Sequence, residues 1–194
     1  PTRGRLRFAG EDVTGVPSHR LARLGVAHAT EGRSVFRSLT VEENLALSFR
    51  QAFGRRQVRD ALDRAYDLFP RLGERRRQVA GTMSGGEQRM LSLARVLVLS
   101  PKMLIADELS LGLAPVIVDE VYHTLSSIKA NGTSLLIIEQ RVDHAVEVTD
   151  EAVVLNHGEV VFHGPATSAA EIGRHVLPGT NGRVGALGVS YPGF

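Results

Sequence analysis

The 194-residue chain contains no cysteine. That absence excludes a disulfide scaffold, a cysteine nucleophile and a zinc–thiolate site. Lysine is almost missing as well. Lys102 and Lys129 are the only two, and arginine supplies the other 21 of 23 basic residues. No apolar run approaches the roughly 20 residues needed to span a bilayer. Residues 1–10 carry three arginines and no apolar stretch, so they do not read as a signal peptide. Nor does any segment repeat at a period of about 20 to 50 residues, which argues against a solenoid or propeller.

What is present points to one globular domain of ordinary size. Apolar residues make up 43% of the chain, enough for a packed core. The pI is 9.4, but the net charge is only +2. The arginines are spread among 21 acids, with one tight run at Arg75-Arg76-Arg77. Such dispersion weighs against a nucleic-acid surface, and no nucleic-acid partner is expected.

Strand-like and helix-like segments alternate, the pattern of a mainly parallel α/β fold. Leu6-Arg7-Phe8-Ala9 reads as a half-exposed strand, followed by a turn-rich stretch to Pro17. Ser18 fits a helix N-cap and Gly25 the C′ stop. Val26-Ala27-His28-Ala29 is a short strand candidate. Thr40 and Glu43 have capping-box spacing and open a helix. Val58, Ala61, Leu62, Ala65, Leu68 and Phe69 make one helical stripe, ended by Pro70 and Gly73. Residues 40–79 therefore read as helical.

A second capping box, Ser84-Gly85-Gly86-Glu87, opens a helix that should stop by Ser100, ahead of Pro101. Met103-Leu104-Ile105-Ala106 and Leu135-Leu136-Ile137-Ile138 read as buried strands. They end in Asp107-Glu108 and Glu139-Gln140. A helix marked by Ile117, Val121, Leu125 and Ile128 separates them. Asn156-His157-Gly158-Glu159 signals a hairpin. From Pro165 the periodicity fades, and the last sixteen residues, with five glycines, are expected to be a flexible tail.

Chemistry concentrates at three places. Ligands of open α/β sheets lie beyond the carboxyl ends of the strands, where Asp107, Glu108, Glu139 and Gln140 sit. Side chains alternate along a strand, so Asp107 and Glu108 point different ways. One can hold Mg²⁺ while the other orients a water. Taken alone, however, Leu104-Ile105-Ala106-Asp107-Glu108 slightly favours the plainer reading, in which acids simply mark a strand end. Two glycines at a helix start cost about 1 kcal/mol each against alanine in a helix interior, and suit a close approach to the backbone. Free N–H groups at the positive end of the helix form an anion site. The plain alternative is a capped helix with a glycine turn. His28, His123, His144, His157 and His163 are assigned no role.

Together these segments resemble the ABC signature and Walker B strand of ATP-binding-cassette ATPases. The resemblance rests on Met83-Ser84-Gly85-Gly86-Glu87-Gln88, Arg95 and Met103-Leu104-Ile105-Ala106-Asp107-Glu108 at the family's spacing. Ser110-Leu111-Gly112-Leu113-Ala114-Pro115 is similar to the D-loop region of branched-chain amino-acid importers. So are Glu31-Gly32-Arg33-Ser34-Val35-Phe36, Leu39-Thr40-Val41-Glu42-Glu43-Asn44-Leu45 and Ile138-Glu139-Gln140. The likeness extends from Arg5 to about Gly164.

The resemblance implies a P-loop NTPase (RecA-like) α/β core over residues 1–38 and 101–164. Residues 39–100 would be an inserted helical subdomain and 165–194 a tail. It implies ATP and Mg²⁺ as ligands, with Asp107 reaching Mg²⁺ through water and Glu108 as general base or water-positioning group. Ser84, Gly85, Gly86, Glu87 and Gln88 would grip ATP held by a second ABC ATPase subunit. Glu31 would be the Q-loop residue, Gln140 the switch residue, and Ser110, Leu111, Gly112 and Leu113 the D-loop. Transmembrane permease subunits would be the other partners, placing the protein peripherally on the cytoplasmic face of the inner or plasma membrane.

Departures from the family pattern are specific. No Gly-x-x-x-x-Gly-Lys-Ser/Thr loop occurs, and neither lysine follows a loop of that kind. The expected reading is an ATPase subunit truncated at its N-terminus, inactive alone. Leu109, Thr30 and Arg37 stand where proline is common, and Gln140 cannot titrate near neutrality as histidine can. Two alternatives stay open: a non-catalytic module that supplies only the signature half-site, and a soluble ABC ATPase outside transport.

Overall fold

The computed structural model describes residues 4–29, 35–140, 142–169 and 185–190. Local sequence chemistry sets most helix boundaries. Helix α1 (Ser18–Leu24) starts after Pro17, so Ser18 is its first residue rather than its cap. Gly25 ends it at φ 98°, a left-handed conformation that favours glycine. Helix α2 (Val41–Phe53) opens on the expected capping box, with both Thr40 and Glu43 hydrogen bonds formed. Helix α3 (Val58–Leu68) ends before Pro70, which does not simply break the helix. It begins the short helix α4 (Pro70–Glu74), because proline suits a first helical turn. Helix α5 (Gly85–Leu97) follows the second capping box.

Strands β3 (Val26–Ala29), β4 (Met103–Asp107) and β5 (Ser134–Glu139) pair in parallel, in that order. Helix α6 (Pro115–Ala130) makes the crossover from β4 to β5. Its length suits such a connection, since parallel neighbours need a dozen or more linking residues. Helix α7 (Val142–Val148) then leads to the hairpin β6 (Glu151–Asn156) and β7 (Glu159–Pro165). At the other end of the chain, β1 (Arg7–Phe8) and β2 (Glu11–Asp12) form a separate two-stranded hairpin. The sequence suggested only a strand and a turn there.

The expected flexible tail does not hold over Gly185–Ser190, which forms a strand, β8; residues 170–184 and 191–194 lie outside the described residues. Strand β8 runs antiparallel between β5 and β6, in the middle of the six-stranded sheet. Without it, β5 and β6 would each present an unpaired backbone edge. Pairing is made by backbone groups, so β8 needs no apolar periodicity to be recruited.

The main core joins the sheet to the helices of residues 41–98. Phe49, Leu45, Leu72, Leu91, Leu93, Leu104, Leu135 and Ile137 are almost fully buried in one continuous cluster. Helix α5 is its centre: every residue from Glu87 to Ala94 is buried. Near its start, Arg89 reaches the main-chain carbonyls of Asp107 and Glu108 at the end of β4.

Candidate functional site

Register brings the two acidic strand ends together. In the β4–β5 ladder Asp107 lies opposite Ile138, so the chain leaves both strands at the same level. Glu108 follows with φ 48°, uncommon for a residue with a side chain, and its N–H donates to the Ile138 carbonyl at 2.8 Å. That turn carries the Glu108 carboxylate outward, where it accepts a hydrogen bond from the Gln140 amide. Two residues singled out from sequence therefore meet, although 32 positions separate them. Asp107 sits half-buried at the end of β4.

The loop after Glu108 is tied down by the next strand. Glu139, 2% exposed, accepts hydrogen bonds from the Ser110 N–H at 2.9 Å and the Ser110 hydroxyl at 2.8 Å. The Tyr122 hydroxyl of α6 donates to the same carboxylate at 3.1 Å. A cavity of about 250 Å³ lies between this loop and the β5 end, lined by Glu108, residues 110–113, Glu139 and Gln140.

The signature segment forms the second part. Ser84 caps α5: its Oγ accepts from the Glu87 N–H at 3.3 Å, while Glu87 accepts from the Ser84 N–H and hydroxyl, both at 2.9 Å. Arg75 pairs with the same carboxylate at 3.0 Å. Burial pushes the Glu87 carboxyl up, but the Ser84 hydrogen bonds and the charges of Arg75 and Arg71 outweigh it and hold the group below its ordinary value. Gln88 is buried and donates to the Met83 carbonyl at 3.0 Å.

Within the chain, then, Glu87 and Gln88 shape the helix start, and their side chains are engaged by their own chain. The first-turn N–H groups of an α-helix have no partner inside the helix. A Cβ at Gly86 would meet nothing closer than 3.6 Å, so the fold itself does not demand glycine there.

Glu31 lies outside the described residues. Beside that segment, Asn44 brackets Phe36, accepting from its N–H at 2.8 Å and donating to its carbonyl at 3.0 Å. Sequence reasoning missed two buried polar residues: Arg89, which donates to the Asp107 and Glu108 carbonyls, and Tyr122, which donates to Glu139. For Glu139 a signal existed. It shares strand parity with Leu135 and Ile137, the inward face of β5. Among the described residues, no three acids or histidines cluster to hold a metal by themselves.

Acids at the carboxyl ends of adjacent parallel strands lie where open α/β sheets take their ligands, and a serine-capped helix that begins with two glycines is the other part of the site. The family model described as ABC transporter matches residues 1–110. The chain is 44% identical over 161 residues to the high-affinity branched-chain amino acid transport ATP-binding protein BraG of Pseudomonas aeruginosa, covering 82% of this chain and 68% of that protein. It is 34% identical to a probable branched-chain amino acid transport ATP-binding protein, LivF, of Archaeoglobus fulgidus, covering 87% of this chain and 71% of that one. In fold it resembles the ADP conformation of MJ1267, an ATP-binding cassette of an ABC transporter, with a TM-score of 0.72 at 24% identity, over 88% of this chain and 72% of that one. The chain belongs to the ABC transporter ATP-binding family.

Proposed function

We propose that this chain is the ATP-hydrolysing part of an importer for branched-chain amino acids. The observation that carries the reading is the Gln140–Glu108 contact at the ends of two adjacent parallel strands. Glu108 orients the attacking water, and Gln140 holds the Glu108 carboxylate and faces the phosphates. The names of the two branched-chain relatives support the substrate class.

Asp107 is the carboxylate for Mg²⁺ arriving with ATP. A single carboxylate fits, because Mg²⁺ keeps waters and binds phosphates alongside one or two acids. Held there, Mg²⁺ would supply neutralisation of phosphate charge. The α5 start, with Ser84, Gly85 and Gly86, meets ATP on a second ATPase subunit through its free N–H groups. Exposed Leu111 and Val116 support that contact from the D-loop side. Glu31 couples to the permease, and residues 39–100 carry the signature segment. No helix among the described residues is long and apolar enough to cross a membrane; in this reading permease partners carry the membrane step.

No phosphate loop with its lysine occurs in these 194 residues, so the β- and γ-phosphate contacts come from outside them. The same absence favours a second reading, a module that supplies only the signature half-site. One experiment separates them. The chain, joined at its start to the phosphate-loop segment of the Pseudomonas relative, should hydrolyse ATP. Glu108→Gln should abolish turnover and spare ATP binding. Turnover unaffected by Glu108→Gln overturns the catalytic assignment. An upstream in-frame phosphate loop in the gene supports the ATPase reading, and a stop codon there supports the module.

A further inference from the structure

Two consecutive residues at the end of β5 hold two positions of the same loop. Gln140 faces outward and holds Glu108 by its side chain. Glu139 faces inward and holds Ser110 by both its N–H and its hydroxyl. The alternation of a strand makes this arrangement possible. Any movement of the β5 end therefore moves the carboxylate of Glu108 and the start of the 110–113 loop together.

Glu139 is unusual for its surroundings. It is 2% exposed, and among the described residues it meets no cation. A buried carboxylate without a counter-charge is costly unless hydrogen bonds saturate it. Three donors do so: Ser110 N–H, Ser110 hydroxyl and Tyr122 hydroxyl. Burial and the adjacent Glu139 charge push the Tyr122 hydroxyl above its ordinary value, so it remains a donor into the alkaline range. An apolar residue would fill the same inward position with Leu135 and Ile137 at lower cost. The acid gives up that packing and gains a fixed loop.

We propose that Glu139 is the positioning residue of the 110–113 loop. It fixes Ser110 against β5 and α6, sets the register between Gln140 and Glu108, and aims residues 111–113 at the second subunit. Leu111, 54% exposed, stands at the tip of that loop. The proposal rests on the ATPase reading for its catalytic consequence, but not for the anchoring itself.

The test has two arms. In the 194-residue chain, Glu139→Gln keeps the volume and removes the charge and one acceptor. Backbone amides of residues 110–113 should exchange about tenfold faster, with protection of β4 and α5 unchanged. In the protein completed upstream with a phosphate loop, the same change should lower kcat about tenfold or more while the KM for ATP stays within about twofold, since misplacement acts on the reaction step. Unchanged exchange at 110–113 together with full kcat overturns the proposal.

If Glu139→Gln loses protection throughout, Ser110→Ala and Tyr122→Phe decide. Each deletes one hydroxyl; local loosening supports the anchor, and none overturns it. If the completed parent protein fails to hydrolyse ATP, the ATPase reading falls, and the exchange arm still judges Glu139.

Discussion

The Arg89 guanidinium donates to the main-chain carbonyl of Glu108 at 2.6 Å and to that of Asp107 at 3.1 Å. It reaches them from the signature helix, 19 residues away in sequence. Helix α5 and the β4 end are therefore one mechanical unit, and Arg89 steadies a turn whose Glu108 has positive φ. Arg89→Met preserves length and apolar packing but removes the donors. It should destabilise the chain by about 2 to 4 kcal/mol, read as a lower urea midpoint. Arg89→Lys should recover part of that loss. A shift below about 0.5 kcal/mol would mean that the two carbonyls are satisfied without it.

Gly81 and Gly86 should respond oppositely to alanine. A Cβ at Gly81 would lie 2.8 Å from the Arg37 carbonyl oxygen, too close for the backbone to accept without moving. Gly81→Ala should therefore lower stability. At Gly86 the nearest atoms, on Ile117 and Leu113, are 3.6 and 3.7 Å away. Gly86→Ala should leave stability unchanged or raise it by up to about 1 kcal/mol. In the protein joined to a phosphate loop it should still cut turnover if, as proposed, the space beside Gly86 takes the nucleotide. Thermal unfolding and ATPase assays on the same preparations separate the two effects.

Glu87 predicts a pH dependence. Its folded-state pKa is depressed below the unfolded value. The stability it contributes is therefore present above about pH 4.5, the ordinary carboxyl range, and is lost as pH falls through the folded value. Glu87→Gln should be less stable than the parent at pH 7, and the gap should narrow toward pH 3. Ser84→Ala should cost about 0.5 to 2 kcal/mol at neutral pH through the lost cap. A pH-independent gap for Glu87→Gln would sink the electrostatic account.

Phe49 is fully buried in α2, within the cluster shared with α5. Phe49→Ala should cost about 3 to 5 kcal/mol. The loss of helicity should be cooperative with the sheet, since one core spans both. Circular dichroism and near-ultraviolet signals that melt together would bear this out. An early, separate transition would show that the helices of residues 41–98 fold by themselves.

Much of the site was legible from local patterns. Ser84 and Glu87 were three residues apart, and that spacing alone predicts the cap that forms. The apolar runs ending in Asp107-Glu108 and Glu139-Gln140 marked both strand ends, because buried parallel strands read as continuous hydrophobic stretches. Arg89 carried no such mark. An arginine on a helix is ordinarily solvated, and only the packing of α5 under β4 turns it inward.

The helix caps, the order of helices and buried strands, and the acids at the strand ends are all written in local sequence. These follow from hydrogen-bonding and periodicity over a few neighbouring residues. Which distant groups meet depends on how the elements pack. That packing sets Gln140 on Glu108, closes Glu139 around Ser110 and Tyr122, and draws the glycine-rich strand β8 between β5 and β6. Those contacts depend on ladder register and on backbone edges left unpaired, which no local pattern encodes.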